Sequence, residues 1–294
     1  PQEDAEAEGD RVAIRAPVEP GAYVRPRGED VRVGDRVLER GHPIGPPEVG
    51  LLATLGHSPV LVHRRPRVAI LSTGNELTDF GMEPGPGQIP NTNTYALMAQ
   101  ALAAGAAPVD LGVAPDRLAA IEERIRWGMG ADVLISSAGV SVGELDLVRD
   151  ALTRAGAELH LWRVSMRPGK PITFGSLGGH LVFGLPGNPV SAMVTFELFV
   201  RPALLALGGL RRVDRPRIRA RALEPIPNPG RRRGYLRVAL SREGEEWGVR
   251  LTGDQGSAIL RSMVLADGLA VVEGDTIVAK GDSVEIIVLR DVSK

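Results

Sequence analysis

From Arg67 onward the chain alternates short, continuous apolar runs with stretches of helical period. Val68-Ala69-Ile70-Leu71 runs into Ser72-Thr73-Gly74, the pattern of a strand buried on both faces. A helix is predicted over 93–104 and a second strand over 109–113. Leu118, Ile121 and Ile125 recur at helical spacing behind Asp116, which predicts a helix over 117–127. Val133-Leu134-Ile135 is a third strand, followed by a Gly/Ser loop and a helix over about 145–155. Phe174 and Leu181-Val182-Phe183 mark further strands, and 190–207 is a long apolar helix. Strands alternating with helices predict a three-layer α/β/α domain whose sheet is mostly parallel.

The flanks read differently. Residues 1–10 are acidic and poor in apolar side chains, as in a loop, and short β-like runs follow at 12–14 and 31–37. Pro46-Pro47 opens a short helix carrying Val49, Leu51, Leu52 and Leu55. After Gly208-Gly209, strand-like runs at 218–222, 236–240, 269–272 and 284–289 predict a small β-barrel. The expected organisation is therefore a β-rich segment with linker helix over 1–65, the α/β domain over 66–209 and the barrel over 210–294.

Composition narrows the chemistry. Among 294 residues the formal net charge is −1, which gives no global attraction to nucleic acid or to an anionic membrane. The arginine runs at 211–221 and 231–237 lack interleaved aromatics and read as solvated surface. Absence of cysteine excludes disulfides and thiolate metal sites, and the five histidines show no paired-ligand spacing. No run reaches the ~18 apolar residues of a membrane span, and no signal peptide is visible. A cytoplasmic location is expected. The chain starts at Pro1 and reads as a fragment or processed chain. Only Lys170, Lys280 and Lys294 are lysines, so a lysine inside a loop stands out.

In an open α/β sheet, ligands bind beyond the carboxyl ends of the strands. Four loops fall there: 72–76, 136–146, 166–171 and 184–191. In the last, Asn188 suits an N-cap and Pro189 the first helical position, which would leave the Val190 and Ser191 N–H groups for an anion. Plain helix capping explains that loop equally well. The small residues of 136–143 let backbone approach a phosphate or a flat ring, although a tight strand-to-helix connection needs them too. Glu76, Asp116, Glu144 and Asp146 all follow strands and could either hold Mg²⁺ or serve as helix-start carboxylates. Arg167-Pro168-Gly169-Lys170-Pro171 is a stiff turn carrying two cations suited to an oxyanion.

Six motifs in one order are distinctive: Ser72-Thr73-Gly74-Asn75-Glu76-Leu77, Gly87-Gln88-Ile89-Pro90-Asn91-Thr92-Asn93, residues 137–146, Met166 to Pro171, Leu185 to Ala192, and Gly253-Asp254-Gln255-Gly256-Ser257. With them the chain, from about residue 12 to its C-terminus, resembles the molybdopterin molybdenumtransferases, the MoeA family that includes the E domain of gephyrin. The resemblance implies insertion of molybdate into adenylylated molybdopterin with release of AMP, aided by Mg²⁺. Related alternatives are a molybdopterin adenylyltransferase and a non-catalytic scaffold homologue.

By the resemblance, Glu76, Asp116, Asp146 and Lys170 are catalytic, and Glu76 and Asp146 hold the metal. Thr73, Gly74, Ser137, Gly139, Ser141, Gly143, Asn188 and Ser191 would bind the pterin nucleotide. Arg167, Lys170, Pro171, Ser191, Arg237 and Ser257 would line the molybdate site. The resemblance also implies a homodimer and the pathway's adenylyltransferase as a partner, with no role for nucleic acid or membrane. Two departures are visible. Ala138 stands where the family usually has a second glycine, and the family's N-terminal helical region has no evident counterpart.

Overall fold

The computed structural model describes residues 2–17, 19–138 and 147–290, and divides into a unit up to Gly56 and a unit from His57 onward. In the first, Ala5–Glu8 and Arg11–Ile14 form an antiparallel hairpin with Ala7 opposite Val12. Residues 1–10 were expected to be a loop. The hairpin forms because Gly9 takes φ +59, a conformation suited to a two-residue connection. The run at 31–37 is not a strand, and Gly34 interrupts it with φ +96. Pro46–Thr54 is the short helix, begun by its two prolines, with the Gly45 N–H donating to the Glu48 carboxylate at 2.8 Å.

The second unit contains a six-stranded sheet in the order Ala107–Ala114, Arg67–Thr73, Val133–Ser137, His180–Leu185, Pro171–Leu177, Glu158–Arg163. The first four run parallel, and the last two add antiparallel. Strand periodicity sends alternate side chains to opposite faces. Val68 and Ile70 pack with Leu97, Phe196, Val200 and Leu204 on one face. Ala69 and Leu71 pack with Ile121, Ile125, Val148 and Leu152 on the other. The helices doing this are Asn93–Ala103 and the 189–207 run on one side, and Leu118–Gly128 and Leu147–Arg154 on the other.

The run Pro189–Leu207 is long and apolar enough by composition to cross a membrane, contrary to the expectation that no run reaches that length. Here Val190, Val194, Phe196, Val200 and Leu204 are buried against sheet and barrel, as in a core helix. The run widens into a π-helical turn over Phe196–Val200, just before Pro202, which has no N–H to give the preceding turn. Its one acidic residue, Glu197, is buried. It accepts from Gln100 Nε2 at 2.8 Å and from Arg215 Nε at 3.0 Å, fastening the connector between helix and barrel.

The barrel closes through Arg217–Ala222, Ser283–Val288, Gly268–Val272, Arg233–Glu243 and Glu246–Leu251, the last pairing in parallel with the first. A short strand from the α/β portion, Met166–Arg167, adds in parallel to Arg233 and Gly234. Beneath that junction Met166, Val190, Val194, Met263, Leu269 and Ile287 form an apolar cluster.

Phe196 has no exposed surface at the centre of one core face. Phe196→Ala is expected to cost about 3–5 kcal/mol, seen as a large drop in the urea midpoint. Asp132 accepts from both terminal nitrogens of Arg64 and from the Arg67 N–H at 2.8 Å. The Arg64 hydrogen bonds hold its carboxyl below the usual value. A depressed folded value stabilises the protein above the ordinary carboxylate range, and the effect fades as pH falls through the folded value. Asp132→Asn should therefore lower the urea midpoint at pH 7, and the gap from the parent should close in acid.

Candidate functional site

A cleft of about 1010 Å³ opens where the carboxyl edge of the sheet meets the barrel. Arg67–Thr73, Val133–Ser137 and His180–Leu185 end at this edge. Pro171–Leu177 runs antiparallel to its neighbour, so it begins at the same edge. That reversal delivers the Arg167 to Pro171 turn to the mouth of the site. Gly169 is required there: its φ is +103, and a Cβ would lie 2.5 Å from Thr195 Cγ2.

The cleft is lined by Glu76, Ser137, Arg167, Lys170, Pro171, Asn188, Ser191 and Ser257 among the residues expected from sequence. Others of that set lie elsewhere. Thr73 is buried. Gly74 does not line the cleft, but it shapes it: with φ +145, its missing Cβ leaves room for the Glu76 carboxylate, 2.5 Å away. Asp116 is exposed and exchanges hydrogen bonds with Asn75: its carboxylate accepts from the Asn75 N–H at 3.3 Å, and its own N–H donates to Asn75 Oδ1 at 3.1 Å. Asp116 thus acts on the 74–76 loop. Gly139, Ser141, Gly143, Glu144 and Asp146 lie outside the described residues.

The 184–191 loop is tied to the barrel in a way the sequence did not indicate. Asn188 makes no side-chain cap; its Nδ2 donates to Ser257 Oγ at 2.9 Å. The Val190 N–H, expected to face an anion, donates instead to the Ser257 carbonyl at 3.1 Å. Pro189 does occupy the first helical position. Asn93 joins two more edge loops, its Nδ2 donating to Ser137 Oγ and the Gly187 carbonyl, each at 2.7 Å.

Arg237 does not line the cleft. It is fully buried beneath the 253–257 loop, with Nε donating to Ser262 Oγ and Nη2 to the Gly256 carbonyl, each at 3.0 Å, while Nη1 has no partner. Burial, and next the charge of Arg167, bring its pKa down to about 10; Asp254 opposes the shift. At neutral pH the guanidinium remains charged, a fixed positive centre behind the cleft wall.

Gln255 grips Arg237 through its backbone, accepting from the Arg237 N–H at 2.8 Å and donating to the Arg237 carbonyl at 3.1 Å. Ala138, at the departure from the family's usual glycine, lines the cleft with φ +75, a left-handed conformation that costs a residue bearing a Cβ about 1–2 kcal/mol. Asn93 and Gln255, quoted from sequence only as members of the ordered motifs, and Arg232, read there as solvated surface, also line the cleft. Arg232 sits in an arginine run, and no local spacing distinguishes it from its exposed neighbours.

Known proteins with the same arrangement identify the lineage. Residues 69–206 match the family described as "Probable molybdopterin binding domain", and 219–289 match "MoeA C-terminal region (domain IV)". Residues 1–56 match "MoeA N-terminal region (domain I and II)", so the N-terminal region is present in part, contrary to the reading that it was missing. A molybdopterin molybdenumtransferase of a Nostoc species is 36% identical over 98% of this chain and 68% of its own length. Molybdopterin molybdenumtransferase 1 of Mycobacterium tuberculosis is 37% identical over 95% of this chain and 67% of its own. The crystal structure of a molybdopterin biosynthesis MoeA protein from Pyrococcus horikoshii superposes with a TM-score of 0.78 at 31% identity, covering 98% of this chain and 71% of that one. Shared architecture, ordered motifs and identity over two thirds of full-length relatives agree: the chain belongs to the MoeA family.

Proposed function

We propose that this chain is a molybdopterin molybdenumtransferase of molybdenum cofactor biosynthesis, moving molybdenum from molybdate onto an adenylylated molybdopterin with release of AMP. The observation that carries this reading is the charge layout of the cleft. Arg167 and Lys170 line it with Arg237 buried behind, and Glu76 is the one carboxylate lining it among the described residues. Molybdate is a tetrahedral dianion, so a planar arginine fork and a compact ammonium on one rigid turn match its charge and its oxygen geometry. Ser191 and Ser257 add hydroxyls beside them, and the small residues around Ser137, Ala138 and Gly187 leave space for a flat pterin.

Release of AMP requires water to attack the adenylate phosphorus and the anhydride P–O bond to break, leaving one phosphate on each product. Glu76, which lines the cleft, would hold that water and accept its proton, and Asp116 would support this by holding Asn75 in the same loop. The described residues include no group of three His, Asp or Glu side chains that could cage a metal by themselves. Mg²⁺, however, is commonly held by one or two carboxylates together with substrate phosphates, and Glu76 fits that mode, with Asp146 as its counterpart by resemblance. Such an ion would neutralise charge on the phosphate oxygens. Family resemblance extends the reading to a cytoplasmic homodimer and to supply of the substrate by an adenylyltransferase.

Lys170→Ala is expected to lower molybdate-dependent AMP release from adenylylated molybdopterin by about 10²-fold or more, as when one oxyanion donor is lost, with the melting temperature unchanged. Near-parental turnover would remove Lys170 from the site. Chelation with EDTA should stop AMP release and added Mg²⁺ restore it, and Glu76→Gln should raise the Mg²⁺ concentration needed for half-maximal rate. Indifference of both proteins to chelation would count against the shared-metal reading.

A further inference from the structure

Ala138 is held in a backbone conformation that its own side chain opposes. Its φ is +75, in the left-handed region that suits glycine, and it lines the cleft. Two ties keep it from relaxing. Its N–H donates to the Leu185 carbonyl at 3.1 Å, and the residue before it, Ser137, pairs in parallel with Leu185. The Ser137 hydroxyl accepts from Asn93 Nδ2, and the same nitrogen donates to the Gly187 carbonyl. One amide group thus locks together the loops that follow Val133–Ser137 and His180–Leu185.

Ala138 and Gly187 face each other just beyond those strand ends. A Cβ added to Gly187 would lie 3.4 Å from Ala138 Cβ, an ordinary van der Waals contact. The Ala138 methyl and the empty side-chain position of Gly187 therefore border the same gap in the cleft floor. One methyl stands there, and it comes from the wall where a side chain is strained. Gly187 lies outside the left-handed region and could carry a methyl without that strain. Backbone strain of this kind persists only where the surroundings fix it, and it gathers at functional sites.

We propose that Ala138 is a specificity-determining residue whose methyl sets the depth of the cleft floor against a flat ring of the substrate. The proposal rests on the functional reading above and deepens it. A planar heterocycle gains dispersion energy only where atoms meet it, and a hole in the floor one methyl deep forfeits that attraction. The ring that seats there is either the pterin or the adenine of the adenylate, and both present the same flat heteroaromatic surface.

The test compares the parent chain with Ala138→Gly, Gly187→Ala and the double variant carrying both. The measurements are fluorescence titration with free pterin, calorimetric titration with AMP, and melting curves. Ala138→Gly removes one methyl from the floor, which predicts about fourfold weaker binding of the ring that seats there. Relief of the left-handed alanine should at the same time raise the melting temperature by about 2 °C. Gly187→Ala adds a second methyl to a gap already filled and should weaken the same ring. The double variant moves the methyl from one wall to the other at constant volume and should bind within about twofold of the parent. Weakening for pterin alone assigns the floor to the pterin, weakening for AMP alone assigns it to the adenine, and weakening for both means that the two rings share it. Affinity within about 1.5-fold of the parent for both rings in either single variant overturns the proposal. A lowered melting temperature in Ala138→Gly also overturns it, because Ala138 would then be a packing residue. So does weakening that a folded double variant does not recover, because backbone order and not the methyl would be its cause. If the double variant does not fold, the two single variants decide on the same terms. Failure of the parent chain to bind either ring would instead strike the functional reading on which the proposal rests.

Discussion

Two residues of parallel pairing, Met166 with Arg233 and Arg167 with Gly234, hold the rest of the site in register. Without them the sheet and the barrel would be joined by a connector, an apolar contact and a few hydrogen bonds, chiefly to Ser257, and would lose the one place where their strands pair. With them, the turn bearing Arg167 and Lys170 is an extension of the barrel as well as the start of a sheet strand. Backbone hydrogen bonds are directional and short in range, so a pairing even this brief sets position more tightly than apolar contact, which tolerates sliding. The Asn188 to Ser257 and Val190 to Ser257 bonds repeat the arrangement on the other wall.

This coupling explains why a charged side chain is kept inside the barrel. Removing Arg237 from water is costly, and its one unpartnered nitrogen means that cost is incompletely offset. The return is local order. Through Ser262, Gly256 and Gln255 the arginine fastens the loop that carries Ser257, and Ser257 fastens the helix start at Pro189. Its charge also adds to the field of Arg167 and Lys170 from a position where solvent cannot screen it. Structural support and electrostatics are here one residue's work.

Legibility differed between fold and site for a physical reason. The strands at 67–73, 133–137 and 180–185 and the helices between them show in the sequence because burial on one or two faces imposes a local period. The hairpin at 5–14 is mostly exposed and the strand at 158–163 half-exposed, so both leave a weaker trace, and Met166–Arg167 is too short to have any period. Site motifs were recognisable where rigid turns need Gly and Pro, as at 166–171. The fates of Asp116, Val190 and Arg237 depended on partners more than ten residues away, which no local pattern reports.

The sequence by itself determined the alternation of strand and helix, the lone lysine of the 166–171 turn and the order of motifs that marks the family, because each follows from local backbone preference or residue chemistry. Tertiary structure decided which of those residues share a cavity. The reversal at Pro171–Leu177 brought the cationic turn to the carboxyl edge of the sheet, and barrel closure buried Arg237. Strand register turned Arg232 inward while its neighbour Arg233 paired with Glu273. Those outcomes depend on distances between segments far apart in the chain, and only the folded arrangement sets them.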